Sequence, residues 1–266
     1  MDESRKADFG TFKKAAASTV IKAMRVLDIL LELHILQPKG ASLKEIAARS
    51  DESPSNVCKY LASFQQAGLV EQDPKTDLYR IGHYALKLST PLLNESGIRE
   101  LARPYLQSLS EQISETVHLV IRDGLEAVYI DKVESSQTIR MHSQVGGRNP
   151  LYCTGVGKAI LAFSPQPLTQ RVIEAGLAAF TDSTLATSDK LLTDLAVIRT
   201  RGYAIDDGEH EPDVRCVAAP VFNHMNEVVA SISAAGPLWR LPDERLPAIG
   251  EHVRSAAQAI SELLRN

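Results

Sequence analysis

The strongest constraint on the fold is a pair of short, well-delimited helices followed by a hairpin pattern, all between residues 42 and 81. Ser42 followed three residues later by Glu45 is a capping-box pattern, which predicts the start of a short helix. Ser53 and Pro54 predict a second start, because a serine hydroxyl caps the first turn and proline is tolerated directly after it. Gly68 predicts the end of that second helix, since glycine readily adopts the conformation that closes a helix.

Apolar patterns complete the domain on either side of these helices. An amphipathic helix is predicted from residue 19 to about residue 34, and its apolar face is predicted to carry Val20, Met24, Leu27, Leu30 and Leu31. Residues 69–72 and 78–81 alternate around a turn at 73–77, which predicts a β-hairpin. Three helices and a hairpin are the parts of a winged helix-turn-helix domain, which we place at residues 17–82 after a flexible N-terminus at 1–16.

The helix that begins after Ser53 is the predicted DNA-reading element, because a helix-turn-helix domain presents such a helix to the major groove. Asn56 is suited to a bidentate contact with adenine, and Lys59 to guanine or phosphate. The residues predicted to contact DNA are Ser42, Ser53, Ser55, Asn56, Lys59, Tyr60, Ser63, Lys75 and Arg80. Two alternatives stay open: a polar helix face that is merely solvated, and a winged helix that binds another protein.

The second half of the chain predicts an α+β domain. Strand-prone runs at 116–122 and 125–132 flank Asp123-Gly124, a strong hairpin signal, and the runs at 216–222 and 228–234 pair in the same way. Helices are predicted at 153–163, 167–175, 190–201 and from 242 to about 264. An antiparallel sheet with helices packed on it follows, at residues 98–266, joined to the first domain by a linker helix at 83–97.

Charge and cysteine usage narrow the class of protein. The net charge is -4, but residues 1–82 hold 12 Lys and Arg against 11 Asp and Glu, while the remainder holds 17 against 22. This mild asymmetry permits DNA binding at the N-terminal end. Three cysteines without a CxxC pair favour a reducing compartment. The sequence shows neither a membrane-length apolar run nor a signal peptide, so we expect a cytoplasmic protein without a membrane partner.

Several motifs resemble those of the IclR family of bacterial regulators. In the first domain they are Leu43-Lys-Glu-Ile-Ala-Ala-Arg, Ser55-Asn-Val-Cys-Lys-Tyr-Leu and Gly68-Leu-Val. In the second they are the run from Gly147 to Ala159, Arg201-Gly-Tyr-Ala and Ala218-Ala-Pro-Val. The resemblance implies a GAF-like effector-binding domain, and Gly147-Arg-Asn-Pro-Leu-Tyr is close to members that respond to 2-keto-3-deoxygluconate and related sugar acids.

The predicted effector site lies where the loop before Gly155 enters a helix. Free amides and the positive dipole end at such a start favour an anion. The family resemblance implies the ligand-binding positions Gly155, Val156, Asp206, Cys216, Ser233 and Ala235, and Met141 and Leu151 are predicted as apolar walls. Ala235 departs from the serine that is frequent in the family. The structural alternatives are that the glycines serve only close packing, that Cys216 is a small buried apolar residue, and that Asp206 caps a turn.

These features predict a ligand-responsive repressor of a catabolic operon that senses a small organic acid such as a sugar acid or keto acid. An aromatic acid as effector, or activation instead of repression, is the alternative. We expect a homodimer or dimer of dimers on a palindromic operator, with dimer contacts from the helices near 19–34 and 83–95.

An enzyme is the main rival class, and the sequence disfavours it. Gly157-Lys158 lacks the Ser or Thr of a phosphate-binding loop, and no local signature supports a thiol nucleophile at Cys153 or Cys216. A zinc site formed by these cysteines with His118 and His142 lacks the usual ligand spacing. We therefore predict no catalytic residue, cofactor or metal.

Overall fold

A computed structural model describes residues 18–88, 97–138 and 143–265 of the 266-residue chain. The chain divides into two compact units at the boundary between residues 94 and 95. Each unit has its own apolar core.

The first unit contains the predicted three helices and hairpin. Its elements are α1 (Ser18–Leu36), α2 (Leu43–Arg49), α3 (Pro54–Gln66), β1 (Val70–Gln72) and β2 (Tyr79–Ile81). The two strands are antiparallel, with Val70 opposite Ile81. Gly68, at a φ of +74°, directly follows Ala67, the C-cap of α3, as predicted for a helix-ending glycine. Residues 84–88 are helical, and the rest of the predicted linker helix up to residue 96 lies outside the described residues.

The predicted buried face of α1 is largely wrong. Leu30 is fully buried as predicted, but Val26 and Leu33 accompany it in the core, whereas Val20, Met24 and Leu31 are exposed. The helix carries two apolar stripes, and the stripe through Val26, Leu30 and Leu33 packs into the core formed with α2, α3 and β2. The other stripe faces away from that core.

The second unit is an α+β domain built on one antiparallel sheet. Its helices are α4 (Gly97–Ile113), α5 (Gly155–Phe163), α6 (Gln166–Ala175), α7 (Ser188–Arg201) and α8 (Leu246–Arg265). Its strands are β3 (Thr116–Asp123), β4 (Glu126–Val133), β5 (Arg148–Pro150), β6 (Ala204–Asp207), β7 (Val214–Phe222) and β8 (Val228–Pro237). They lie in the order β5-β4-β3-β8-β7-β6, and all the pairs are antiparallel. Neither α4 nor β5 is among the elements predicted from the sequence.

The two faces of this sheet pack against different helices. Residues such as Val117, Val217 and Ile232 join a core with α4 and α8. Their neighbours along the same strands point the other way because side chains alternate in a strand, and they join a core with α5 and α7. The predicted fold class, a winged helix-turn-helix domain followed by an α+β domain, is confirmed. No helix within the described residues combines the length and apolar character needed to span a membrane.

Candidate functional sites

The predicted DNA-reading helix α3 is capped as its sequence indicates. The Ser53 hydroxyl accepts a hydrogen bond from the amide of Asn56 at 3.3 Å, and Pro54 occupies the first turn. Val57 and Leu61 are buried against the unit's core. Ser55, Lys59 and Ser63 are consequently exposed on the opposite side of the helix, while Tyr60 is partly buried against the core.

The hydroxyl and the backbone amide of Ser42 both form hydrogen bonds in a capping box at the start of α2. Its hydroxyl donates to Glu45 Oε2 at 2.7 Å and accepts from the Glu45 amide at 3.3 Å, while its own amide donates to the same carboxylate at 2.8 Å. These hydrogen bonds hold the pKa of Glu45 below its usual range. The main observed role of Ser42 is therefore to start the helix that precedes α3.

Asn56 also has a side-chain partner at the start of α3. Its Nδ2 donates to Glu52 Oε2 at 3.0 Å, and Glu52 Oε1 lies 2.7 Å from the ammonium of Lys22 on α1. The hydrogen bonds from Lys22 and Asn56 hold the pKa of Glu52 below its usual range. Glu52 is not among the residues predicted to contact DNA, although its position four residues before Asn56 is a recognisable helical spacing.

The hairpin places its two predicted DNA contacts differently. Lys75 is exposed in the turn, where Asp73 Oδ1 accepts its backbone amide at 2.8 Å. Arg80 donates from Nε and Nη2 to Glu71 Oε2 at 3.2 Å and 3.0 Å. Hydrogen bonds from His83 and then Arg80 lower the pKa of Glu71 to about 2. The charge of Arg80 is therefore partly compensated within the unit, whereas Lys75 presents its charge at the tip.

In the second unit, the start of α5 is buried and packed closely against the sheet. Thr154 caps it by accepting the Gly157 amide at 3.2 Å. A Cβ at Gly155 would lie 2.9 Å from Cys216 Sγ, and one at Gly157 would overlap the backbone of Leu151. Close packing, which the sequence analysis held as an alternative, is therefore one reason for both glycines. Val156 and Leu151 are also buried here.

Four of the predicted effector-binding residues meet on one face of the sheet. Asp206 pairs with Cys216 across β6 and β7, and Cys216 pairs with Ala235 across β7 and β8. Gly155 closes over Cys216 from the helix side. Ser233 lies on the same face two residues from Ala235, opposite Ala218. Met141, the remaining predicted residue, lies outside the described residues.

The polar groups of this site are strongly desolvated. Burial, and then the neighbouring charge of Glu209, raises the pKa of Asp206 to about 7. Burial raises the pKa of Cys216 to about 12. Asp206 Oδ1 accepts the Glu209 amide at 2.8 Å, so this carboxylate also caps a turn, as one of the alternatives proposed.

Two buried groups next to these residues were not among the predicted binding positions. His118 lies opposite Ser233 on β3, with Nδ1 at 3.3 Å from Ser233 Oγ and Nε2 at 2.6 Å from Ser143 Oγ. Burial, with a smaller effect of Lys132, lowers its pKa to about 3, which keeps the ring neutral. Strand alternation could have found it, because His118 falls on the same sheet face as Ser233.

The second group is Lys158, one turn into α5. Its side chain is 1% exposed, and its ammonium lies 2.7 Å from Asp194 Oδ2 on α7 and forms a second hydrogen bond with Glu209 Oε1. Glu209 Oε2 is buried without a hydrogen-bond partner among the described residues. No sequence pattern indicates this cluster, because its members lie 36 and 51 residues apart.

Within the part of the chain that the structure describes, no three His, Cys, Asp or Glu side chains come together as a metal site. His142, one of the zinc ligands weighed above, lies outside that part.

A winged helix-turn-helix unit followed by an α+β unit with a buried polar site defines a DNA-binding transcription regulator, and comparisons with known proteins give its family. A sequence profile described as "IclR helix-turn-helix domain" matches residues 19–74, and one described as "Bacterial transcriptional regulator IclR C-terminal" matches residues 90–262. The chain belongs to the IclR family of bacterial transcriptional regulators. The members of this family are regulators and not enzymes, as predicted.

Two relatives and one solved structure illustrate the similarity. The chain is 38% identical over 238 residues to the HTH-type transcriptional regulator BhcR of Paracoccus denitrificans, covering 89% of this chain and 85% of that protein. It is 34% identical over 257 residues to the Transcriptional repressor IclR of Escherichia coli, covering 94% of each. A crystal structure of an IclR homologue from Microbacterium hydrocarbonoxydans, complexed with 4-hydroxybenzoate, shares the fold with a TM-score of 0.77 and 21% identity, covering 93% of this chain and 99% of that one.

Proposed function

We propose that this protein is a repressor that binds a palindromic operator through α3 and releases it when a small organic acid binds the second unit. The observation that carries the DNA-binding half is the outer face of α3, where Ser55, Lys59 and Ser63 stand exposed beyond a capped helix start. A helix presented in this way fits the major groove, and the exposed Lys75 at the hairpin tip is suited to the phosphate backbone.

The effector half of the proposal rests on the buried site at the start of α5. The amides there offer hydrogen bonds to a carboxylate, and Asp206 and Ser233 offer polar partners for a keto or hydroxyl group. We therefore favour a sugar acid or keto acid. An aromatic acid is the competing class, since the homologue complexed with 4-hydroxybenzoate shares this fold.

A homodimer is the proposed assembly on DNA. The second stripe of α1 is apolar and exposed at Val20, Met24, Leu31 and Ile35. These positions fall on one side of the helix, and a second copy of the same stripe would cover them. Two-fold symmetry of the protein then matches two half-sites of a palindrome.

The DNA-binding proposal is tested by selecting genomic fragments at low salt and refining the bound motif. Asn56→Ala should cost roughly 1–3 kcal/mol in operator affinity and relax one base position. Lys75→Ala is the matched control: it should weaken binding to all sequences alike and reduce the salt dependence. A protein that retains no fragment, with or without metabolites, is not a DNA-binding regulator.

The effector proposal is tested by a thermal-shift panel containing glyoxylate, pyruvate, 2-keto-3-deoxygluconate and 4-hydroxybenzoate. Stabilisation by a keto or sugar acid alone favours our reading, and stabilisation by the aromatic acid alone rejects it. Ser233→Ala removes a hydroxyl from the proposed site without adding volume, and it should weaken binding of the stabilising compound while leaving operator affinity unchanged. If calorimetry shows that the variant binds the stabilising compound with wild-type affinity, the effector site lies elsewhere.

A further inference from the structure

The amide of Asn56 has one fixed orientation in this structure. Its nitrogen, Nδ2, lies 3.0 Å from Glu52 Oε2. An ionised carboxylate only accepts hydrogen bonds, so the amide nitrogen and not the amide oxygen must face Glu52. Oδ1 is therefore directed away from Glu52, and it makes no hydrogen bond with any of the described residues.

Glu52 is itself held from two sides. Its Oε1 lies 2.7 Å from the ammonium of Lys22, and its side chain is only 10% exposed. The lowered pKa of Glu52 keeps the carboxylate ionised at neutral pH, which strengthens its hydrogen bond to Asn56. Turning the Asn56 amide over would therefore break this charge-assisted hydrogen bond and bring two oxygen acceptors together.

This arrangement restricts which bases Asn56 is able to read. In the major groove adenine and cytosine present an exocyclic amino donor, whereas guanine and thymine present carbonyl acceptors. An unrestrained asparagine turns its amide to suit either class. An asparagine held as Asn56 is held presents its oxygen, which accepts from an amino group and repels a carbonyl. Its second amide hydrogen stays available for N7 of adenine.

We propose that Glu52 is a positioning residue for base reading, which makes Asn56 select adenine or cytosine and exclude guanine and thymine at one operator position. The inference rests on the proposed function, namely that α3 reads the major groove. It refines the sequence-based expectation of an adenine contact by naming the residue that orients the amide and the class of bases that is excluded.

The test begins with the base position that Asn56→Ala relaxes. At that position the wild-type protein should bind operators with an amino base on the read strand about tenfold more tightly than those with a keto base. Glu52→Ala frees the amide to turn, so this ratio should fall towards one. Asp51→Ala is the matched control, because it removes the same charge from an exposed neighbouring residue. Both variants should raise affinity for all sequences to a similar extent, but only Glu52→Ala should change the ratio.

A second measurement uses the wild-type protein alone and does not depend on how well the Glu52 variant folds. Where the position accepts adenine, replacing that base by purine, which lacks the 6-amino group, should lower affinity about as much as Asn56→Ala does. The proposal is overturned if Glu52→Ala, with an unchanged melting temperature, keeps the wild-type ratio, or if the purine operator binds as well as the adenine operator. Failure of the wild-type protein to bind any operator would instead reject the proposed function itself, and this inference with it.

Discussion

The two units of this protein use their polar groups in opposite ways. In the DNA-binding unit, pairs such as Ser42 with Glu45 and Arg80 with Glu71 lie at the surface and join residues close in sequence. In the second unit the polar groups are buried and join distant segments, as Lys158 does with Asp194 and Glu209. Surface pairs stabilise a fold little, whereas a buried charge is costly once its partner is removed.

The polar groups therefore have different roles in the two units. In the first unit they orient side chains on the surface that we propose to bind DNA. In the second, they fix the relative positions of α5, α7 and the turn after β6. Four sets of variants test this difference.

The first prediction concerns the buried cation. Lys158→Met leaves Glu209 buried without its counter-charge, so we expect the second unit to lose about 3–5 kcal/mol of unfolding free energy. Urea unfolding followed by circular dichroism and by Trp239, the single tryptophan of the chain, measures it. Lys190→Met at an exposed site is the control, and Lys22→Met should have a much smaller effect than Lys158→Met. If Lys158→Met loses less than about 1 kcal/mol of unfolding free energy, the buried charges of the second unit do not stabilise it more than surface pairs do.

The second prediction is a pH dependence that belongs to the second unit. The pKa of Asp206 is raised to about 7, so the folded unit keeps a proton there that the unfolded chain releases near pH 4. The stability associated with this group is therefore fully present below about pH 4 and is lost as the pH rises through about 7. Because these two pKa values differ by about three units, Asp206→Asn should gain about 4 kcal/mol relative to the wild type as the pH rises from 4 to 7, measured by urea unfolding at a series of pH values.

The contribution of His118 to stability changes with pH in the opposite direction, so a variant at His118 provides the control for this experiment. Because its pKa is lowered to about 3, its contribution is present above about pH 6.5 and is lost as the pH falls through about 3. The two groups partly offset each other in the wild type, so His118→Gln should make stability decline more steeply between pH 4 and 6.5. Identical pH profiles for all three proteins would show that neither group is buried in solution as it is in the structure.

The third prediction sharpens the contrast in packing. A Cβ at Gly157 would overlap the backbone of Leu151, which cannot rotate aside as a side chain does. Gly157→Ala should therefore destabilise the second unit by ~1–3 kcal/mol. Gly97→Ala is the control, since a Cβ there meets nothing within 4 Å. Equal melting temperatures for the two variants would mean that α5 is not seated on its preceding loop as described.

The fourth prediction concerns the DNA-binding unit and is the smallest. Ser53→Ala removes the cap of α3 and should cost about 1 kcal/mol of unfolding free energy, with a matching small loss of operator affinity. Ser55→Ala, two residues further and exposed, is the control and should leave stability unchanged. Thermal unfolding and a fluorescence-anisotropy titration measure the two effects. If Ser55→Ala destabilises as much as Ser53→Ala, the cap does not hold α3 in place.

The sequence was informative where the cause is local. The caps at Ser42 and Ser53 and the turns at residues 73–77 and 123–124 involve residues at most a few positions apart. The family resemblance indicated Gly155, Asp206 and Cys216, which lie together in the structure: Asp206 pairs with Cys216 in the sheet, and Gly155 packs against Cys216. Their role in binding an effector remains a prediction.

Local pattern determined the capped starts of α2 and α3, most of the element types and the order of the two domains, because capping and strand alternation depend on neighbours in the chain, but it missed α4 and β5. Tertiary structure decided which of two apolar stripes of α1 is buried, since both satisfy the same helical spacing. It also decided the partners of Lys158, because only the packing of α5 against α7 and the turn after β6 brings residues 158, 194 and 209 within hydrogen-bonding distance.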